Sequence, residues 1–137
     1  MGARSKAGKL AQVPTNDKPP SRDTGDSNAP PTDGVVMIYV TFPDRASALA
    51  LGRDLVERGI AGCINVLPSM TSIFVWKGET ETAEEAVMIV KLAREGADSA
   101  VAHILANHPY ETPAVLVVPV VGGSSEYLAW VRSGTRL

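Results

Sequence analysis

The sequence predicts an α+β fold in the order strand–helix–strand–strand–helix–strand, with an extra helix at the C-terminal end. Three observations indicate this order. Two apolar runs, residues 35–40 and 114–121, are typical of strands. Two stretches with helical spacing of apolar residues follow the pattern of helices, and two long extended segments meet at Gly78. Such an order forms a four-stranded antiparallel sheet with two helices on one face, and right-handed crossovers place the first and third strands at its centre.

The first predicted strand, residues 35–40, contains six apolar residues without a break, which favours a central position in the sheet. A helix is predicted to follow at once, because Thr41 and Asp44 have the spacing of a capping box and Pro43 suits a first turn. Gly59 is expected to end this helix. Its predicted inner face consists of Ala48, Leu51, Gly52, Leu55 and Gly59.

The middle of the chain, residues 63–92, predicts a long β-hairpin. Pro68 interrupts its first strand, and Gly78 supplies the turn. The second strand carries apolar residues on both faces, more than a hairpin with one solvated face requires. We therefore expect the helices to cover one face of the hairpin and another copy of the chain to cover the other.

The second helix is predicted over residues 96–107, with His103 on its outer, solvated side. Its predicted inner residues are Ala97, Ala100, Val101, Ile104 and Leu105. After the fourth strand, Ser124 or Ser125 is expected to cap a short third helix.

The turn between the second helix and the fourth strand is bounded by Pro109 and Pro113. It carries an imidazole, a phenol and a carboxylate within four residues, in His108, Tyr110 and Glu111. This is the densest group of functional side chains in the sequence. Polar residues in such a turn are more often capping or solvated groups than parts of a site.

Composition excludes several classes of protein. The formal net charge of −2 leaves no basic surplus for binding nucleic acid, and no apolar run is long enough to cross a bilayer. The single cysteine, Cys63, rules out an intramolecular disulfide, which fits a cytoplasmic protein. Residues 1–33 are rich in proline and small polar residues, so we expect a disordered tail before one folded domain, residues 34–137.

A series of motifs spans this predicted domain. In order, they are Ala61-Gly62-Cys63-Ile64-Asn65-Val66-Leu67-Pro68, Ser72 to Trp76, Gly78, Glu85, Lys91, His108-Pro109-Tyr110-Glu111-Thr112-Pro113, Pro119 and Tyr127-Leu128-Ala129-Trp130. Together they resemble the CutA family of divalent-cation tolerance proteins. The resemblance implies a ferredoxin-like subunit in a tight homotrimer, whose hairpin pairs with neighbouring subunits and whose C-terminal helix packs at the interface. It also implies a non-enzymatic role in tolerance of copper and other divalent metals, and an architecture similar to that of the trimeric PII signalling proteins.

The resemblance makes His108 and Cys63 the candidate ligands for Cu²⁺ or another divalent cation. Some members of the family have a second histidine at the position of Asn107 and a cysteine at the position of Val40, and this chain has neither. Soft or borderline metals prefer imidazole and thiolate donors, so the sequence predicts weak binding. The alternatives are a hydrogen bond of His108 within its turn, and a small buried apolar residue in Cys63.

Two further groups of candidates follow from the trimer that the resemblance implies. The residues expected to line a ligand cleft between subunits are Lys91, Glu85, Tyr110 and Glu111. The aromatic residues expected at the interface are Trp76, Phe74, Trp130 and Tyr127. The alternative for Lys91 and Glu85 is an ion pair between strands or between subunits.

The leading functional hypothesis is a trimeric, non-enzymatic protein of the metal response, acting by weak metal binding or as a scaffold. The alternative is a small-ligand sensor of PII type, with an anion or metabolite in intersubunit clefts. Against it, the sequence has no Gly-rich phosphate loop and no basic cluster. Acylphosphatases share the chain order, but the segment around Arg45 predicts a capped helix start and offers no anion cradle.

Overall fold

The computed structural model describes residues 34–137, and the tail predicted for residues 1–33 lies outside them. The strands are β1 (Val35–Phe42), β2 (Cys63–Trp76), β3 (Glu79–Ala93) and β4 (Val115–Pro119). The helices are α1 (Arg45–Glu57), α2 (Ala97–Asn107) and α3 (Ser125–Ser133), and a 3-10 helix (Arg94–Gly96) precedes α2. The predicted order of strands and helices is confirmed. No helix in the described range is long and apolar enough to span a membrane.

The four strands form one antiparallel sheet in the order β2-β3-β1-β4. The central positions of β1 and β3 are those predicted from the sequence. Ile38 of β1 pairs with Val90 of β3 on one side and with Val117 of β4 on the other. Every second residue of β1 and β3 therefore faces α1 and α2, and the residues between them face the opposite side, which we call the open face.

The main core lies between the sheet and the helices α1 and α2. Its largest fully buried side chains are Phe42, Ile38, Leu55, Met88, Leu92 and Ile104. Burying a side chain of this size stabilises the fold by about 1.5–3 kcal/mol. The inner face predicted for α1 is confirmed, whereas Leu105 of α2 is 50% exposed. Leu105 lies about 100° round the helix from Ile104, beyond the narrow stripe that contacts the sheet.

The predicted start of α1 was wrong. Thr41 and Phe42 continue β1, where Thr41 pairs with Val87, so Thr41 is unavailable as a cap. Asp44 takes that role, since its backbone is extended and its carboxylate accepts a 2.7 Å hydrogen bond from the backbone N–H of Ser47. This hydrogen bond lowers the pKa of Asp44. The end of α1 is as predicted, because Gly59 has a φ of +71° directly after the last turn.

The β2–β3 hairpin extends well beyond the rest of the sheet. Its turn consists of Lys77 and Gly78, both with positive φ, which matches the twist of the two strands. The pairing register shifts between Leu67 and Met70, where Pro68 cannot donate to the ladder. Pairing of β3 with β1 stops at Ala86, so the outer part of the hairpin is a two-stranded ribbon.

Helix α3 covers one end of the open face. Val131 is fully buried there, and the carbonyl oxygen of Val131 lies so close to Gly62 that a Cβ at position 62 would collide with it. Thr135 secures the end of the helix, because its hydroxyl accepts a hydrogen bond from Ala93 N–H and donates one to the carbonyl of Val131. The rest of the open face keeps exposed apolar side chains, among them Leu67, Leu116 and Val118.

Candidate functional site

The imidazole of His108 is fixed through both of its ring nitrogens. Nε2 lies 2.7 Å from the carbonyl oxygen of Thr41, and Nδ1 lies 3.0 Å from the backbone nitrogen of Tyr110. The carbonyl can only accept and the N–H can only donate, so the arrangement requires neutral imidazole with its proton on Nε2. His108 thus ties the turn after α2 to the end of β1.

The surroundings of His108 favour this neutral form. Its ring packs against Phe42 at 4.3 Å between centroids and against Tyr110 at 5.1 Å. Burial lowers the pKa of His108, against smaller opposing effects of the Thr41 carbonyl and the Glu85 charge. The hydroxyl of Tyr110 donates to Glu85 at 3.1 Å, and burial, with that bond, raises the pKa of Tyr110. These residues form a connected network, which we call the His108 turn.

The two predicted metal ligands do not meet within one chain. His108 bonds to Thr41, which pairs with Val87 of β3, whereas Cys63 pairs with Lys91. Four residues along a strand separate these rows by about 13 Å. Nor do three His, Cys, Asp or Glu side chains come together to hold an ion anywhere in residues 34–137. A resident metal therefore does not fit the His108 turn as it stands, because both imidazole nitrogens are already engaged.

Lys91 belongs to a second cluster at the other end of the open face. Its ammonium donates a 3.0 Å hydrogen bond to the hydroxyl of Tyr127 and lies 5.2 Å from the centre of the Tyr127 ring. Tyr127 in turn packs against Trp130, with 5.8 Å between ring centroids. We call Lys91, Tyr127 and Trp130 the lysine cluster.

The residues predicted to line one ligand cleft are therefore divided within a single chain. Glu85 and Tyr110 belong to the His108 turn, while Lys91 lies six residues further along β3, a separation of about 20 Å. Glu111 is exposed and forms no hydrogen bond or ion pair within the described range. A cleft that uses all four residues would need more than one copy of the chain.

The four predicted interface aromatics differ in their surroundings. Trp76 and Phe74 are exposed on the outer hairpin, with 60% and 42% of their surface accessible. Tyr127 and Trp130 are partly buried in the lysine cluster. Sequence reasoning missed the link between Tyr127 and Lys91, because these residues lie 36 positions apart and no local pattern connects them.

The sequence predicted that His103 is solvated on the outer side of α2, but the structure gives it a hydrogen-bond partner. Its Nε2 lies 2.7 Å from a carboxylate oxygen of Asp54 on α1, and the other oxygen of Asp54 accepts from Arg58 at 2.7 Å. The bond from Arg58, followed by that from His103, lowers the pKa of Asp54. The Asp54–Arg58 spacing of four residues is a helical pair that the sequence could have indicated, whereas the bond between helices depends on tertiary packing.

The sheet, the helices and the polar clusters define a small α+β protein with a four-stranded antiparallel sheet and three helices. The chain belongs to the family of CutA1 divalent ion tolerance proteins, whose family model matches residues 36–134. The resemblance read from the motifs is confirmed.

Individual members of the family are also similar to this chain in sequence. The divalent-cation tolerance protein CutA of Pectobacterium atrosepticum is 37% identical over 110 residues, which cover 80% of this chain and 99% of that protein. The chloroplastic protein CutA of Arabidopsis thaliana is 33% identical over 101 residues, or 74% of this chain. The chain spans only 56% of the length of that plant protein.

Solved structures share the fold. The crystal structure of CutA1 from Oryza sativa has a TM-score of 0.72 and 31% identity, covering 75% of this chain and 94% of that one. The divalent cation tolerance protein of Thermus thermophilus has a TM-score of 0.70 and 31% identity, covering 74% of this chain and 99% of that one.

Proposed function

We propose that this chain acts in the tolerance of divalent cations, copper among them, as a non-enzymatic homotrimer of ferredoxin-like subunits in the cytoplasm. The names of the relatives support the role in cation tolerance. Cellular location differs among them by name, since the Arabidopsis protein is called chloroplastic and the Archaeoglobus fulgidus protein periplasmic. The cytoplasmic assignment rests on the cysteine content of this chain.

The observation that supports the proposed homotrimer is the apolar surface of the outer hairpin. Ile73 and Val75 on one face are 71% and 70% exposed, and Phe74 and Trp76 on the other are 42% and 60% exposed. A two-stranded ribbon with apolar residues on both faces is marginal in water on its own. Neighbouring subunits that cover both faces would remove this surface from solvent, and the trimer that the resemblance implies gives each subunit two such neighbours.

Sedimentation velocity tests the assembly. At about 1 µM chain, we expect a single species of three times the chain mass. The double change Ile73→Ser with Val75→Ser removes apolar contact from one face of the ribbon, and it should shift the species toward monomer. A wild-type chain that sediments as a monomer at this concentration would contradict the proposed assembly.

Metal handling is proposed to be weak or indirect. A cation could bind His108 only after one of its two hydrogen bonds opens, and Cys63 is too distant in the same chain to assist. Because residues 34–137 bring no group of three ligands together, we propose that direct binding uses ligands from another subunit, with Glu111 as an exposed candidate. Without such ligands, the trimer would contribute to tolerance as a scaffold.

Calorimetric titration with Cu²⁺ separates these routes, with Cys63 kept reduced. The variant His108→Ala is compared with wild type, and His103→Ala serves as the matched control because it removes the other histidine of the described range. Submicromolar binding that only His108→Ala abolishes would establish direct binding through His108. Binding that is absent, or equal in all three proteins, would leave the scaffold as the route to tolerance.

One observation favours the alternative function, a sensor of small anions in the manner of PII proteins. The ammonium of Lys91 is partly buried but has no carboxylate partner within residues 34–137. An anion from outside the described residues could therefore bind this positive charge.

A further inference from the structure

The lysine cluster contains more hydrogen-bond donors than acceptors. Lys91 donates to the oxygen of Tyr127, and this is the one polar contact of its side chain within residues 34–137. Two N–H groups of the ammonium thus lack an acceptor among the described residues, and so does the O–H of Tyr127. These donors sit on atoms only 3.0 Å apart. A single group with two acceptor oxygens could accept from both residues at once.

The charge of the cluster limits which anion it suits. Lys91 contributes one positive charge, and no ion pair in the described range includes it. A carboxylate has one negative charge and two oxygens, so it balances this charge and satisfies both donors. A phosphate dianion would keep an excess negative charge, and a lysine lacks the planar fork with which arginine binds phosphate.

The neighbours of Lys91 indicate the rest of the ligand. In the sheet, Lys91 lies between Met37 of β1 and Cys63 of β2, whose side chains share the open face with it. The rings of Tyr127 and Trp130 bound the cluster on the α3 side. Cys63 is itself buried, but the thioether of Met37 and the rings of Tyr127 and Trp130 are partly exposed and favour an apolar body next to the carboxylate.

We propose that the lysine cluster binds a small monocarboxylate with an apolar body, whose carboxylate accepts hydrogen bonds from Lys91 and Tyr127. The proposal rests on the alternative function as an anion sensor and names its ligand class. It makes no use of His108 or of a metal. A single charge-assisted contact with a few apolar neighbours corresponds to a Kd on the order of 1 mM.

The test uses benzoate as the probe, with neutral benzamide of the same shape and inorganic phosphate as comparisons. Binding is followed by NMR through the indole N–H signals of the two tryptophans. Trp130 belongs to the cluster, whereas Trp76 lies on the hairpin and serves as an internal control. We expect benzoate to move the Trp130 signal alone, with benzamide at least about tenfold weaker.

Three variants locate the binding. Lys91→Met keeps the length of the side chain and should weaken benzoate binding at least about tenfold, while Tyr127→Phe removes one donor and should weaken it about threefold to tenfold. Lys77→Met is the matched control, because Lys77 also lies over an aromatic ring, 6.0 Å from the centre of Trp76, but outside the cluster. It should leave binding unchanged. If Lys91→Met does not fold, Tyr127→Phe still tests the site.

Each contrary result has a defined meaning. Equal binding of benzamide and benzoate would overturn the proposal, because charge would then not be recognised. If phosphate binds more tightly than benzoate and its binding depends on Lys91, the monocarboxylate class is wrong, but the function as an anion sensor still stands. If neither benzoate nor phosphate binds, both the monocarboxylate site and the anion-sensor function are rejected. The role in cation tolerance is tested separately, by the copper titration. If wild type binds neither anion and Lys91→Met dissociates the oligomer, the partner of Lys91 is a carboxylate of a neighbouring subunit.

Discussion

Removal of the His108 imidazole is expected to destabilise the fold by about 3 kcal/mol. The change His108→Ala deletes a bond to the Thr41 carbonyl, which belongs to a buried residue, and a bond to the Tyr110 N–H. Leaving such a carbonyl without a partner costs about 1–2 kcal/mol, and the second bond contributes about 1 kcal/mol. Packing of the ring against Phe42 adds about 0.5–1 kcal/mol.

A second substitution separates the two hydrogen bonds. In His108→Asn, the side-chain oxygen can still accept from the N–H two residues ahead, as in an Asx turn, but it cannot reach Thr41. We therefore expect a loss of about 2 kcal/mol, which places this variant between wild type and His108→Ala. His103→Ala is the control for loss of an imidazole elsewhere. Urea unfolding at pH 8 and one fixed protein concentration measures all four proteins.

The contribution of His108 should also depend on pH. Burial holds its folded-state pKa below the unfolded value of about 6.5, so the unfolded chain binds more protons between these two values. The stabilisation is fully present above the unfolded pKa and is lost as the pH falls through the folded pKa. Protonated Nδ1 would also point a donor at the Tyr110 N–H.

The difference between wild type and His108→Ala isolates this effect from other titrating groups. It should be largest at pH 8 and smaller at pH 5. A difference below about 0.5 kcal/mol at pH 8, or one that increases on acidification, would refute the assignment of His108 as a neutral hydrogen-bonded residue.

Two other changes have effects that the structure predicts. Gly62→Ala should lower the melting temperature by more than about 5 °C and loosen α3, because the new Cβ would collide with the carbonyl of Val131. Thermal unfolding measures the first effect and Trp130 fluorescence the second. An unchanged melting temperature would contradict the close contact between Gly62 and Val131. Asp54→Asn should lower the melting temperature slightly at neutral pH, because it removes the ion pair with Arg58. The difference in melting temperature between wild type and variant should vanish in acid, as wild-type Asp54 protonates through its lowered pKa. A difference that persists at pH 2 would contradict the ion pair.

Local signals in the sequence were sufficient for most of the fold. The unbroken apolar run of β1 predicted its central place, and Gly59 and Gly78 marked turns that require positive φ. The cap of α1 was mistaken because Thr41 satisfies two local patterns, and its pairing with Val87 decides in favour of the strand. Such competition between a local cap and a long-range ladder cannot be resolved from spacing alone.

The candidate site was less predictable, because its contacts join distant parts of the chain. His108 was identified as a turn residue, but its partner is a backbone carbonyl 67 residues away, which has no signature in the sequence. The same holds for Lys91 with Tyr127 and for His103 with Asp54. Residue type indicated which side chains could act, and only the fold determines which nitrogens and oxygens remain free.

The engagement of His108 bears directly on metal affinity. A cation that takes Nδ1 leaves the Tyr110 N–H without an acceptor, and one that takes Nε2 leaves the Thr41 carbonyl without a donor. Either loss costs about 1–3 kcal/mol, which lowers the apparent affinity roughly 5-fold to 150-fold relative to a free imidazole. Strong binding in the copper titration would therefore require ligands in addition to those of the His108 turn, and weak binding is the expected property of a single His108 turn.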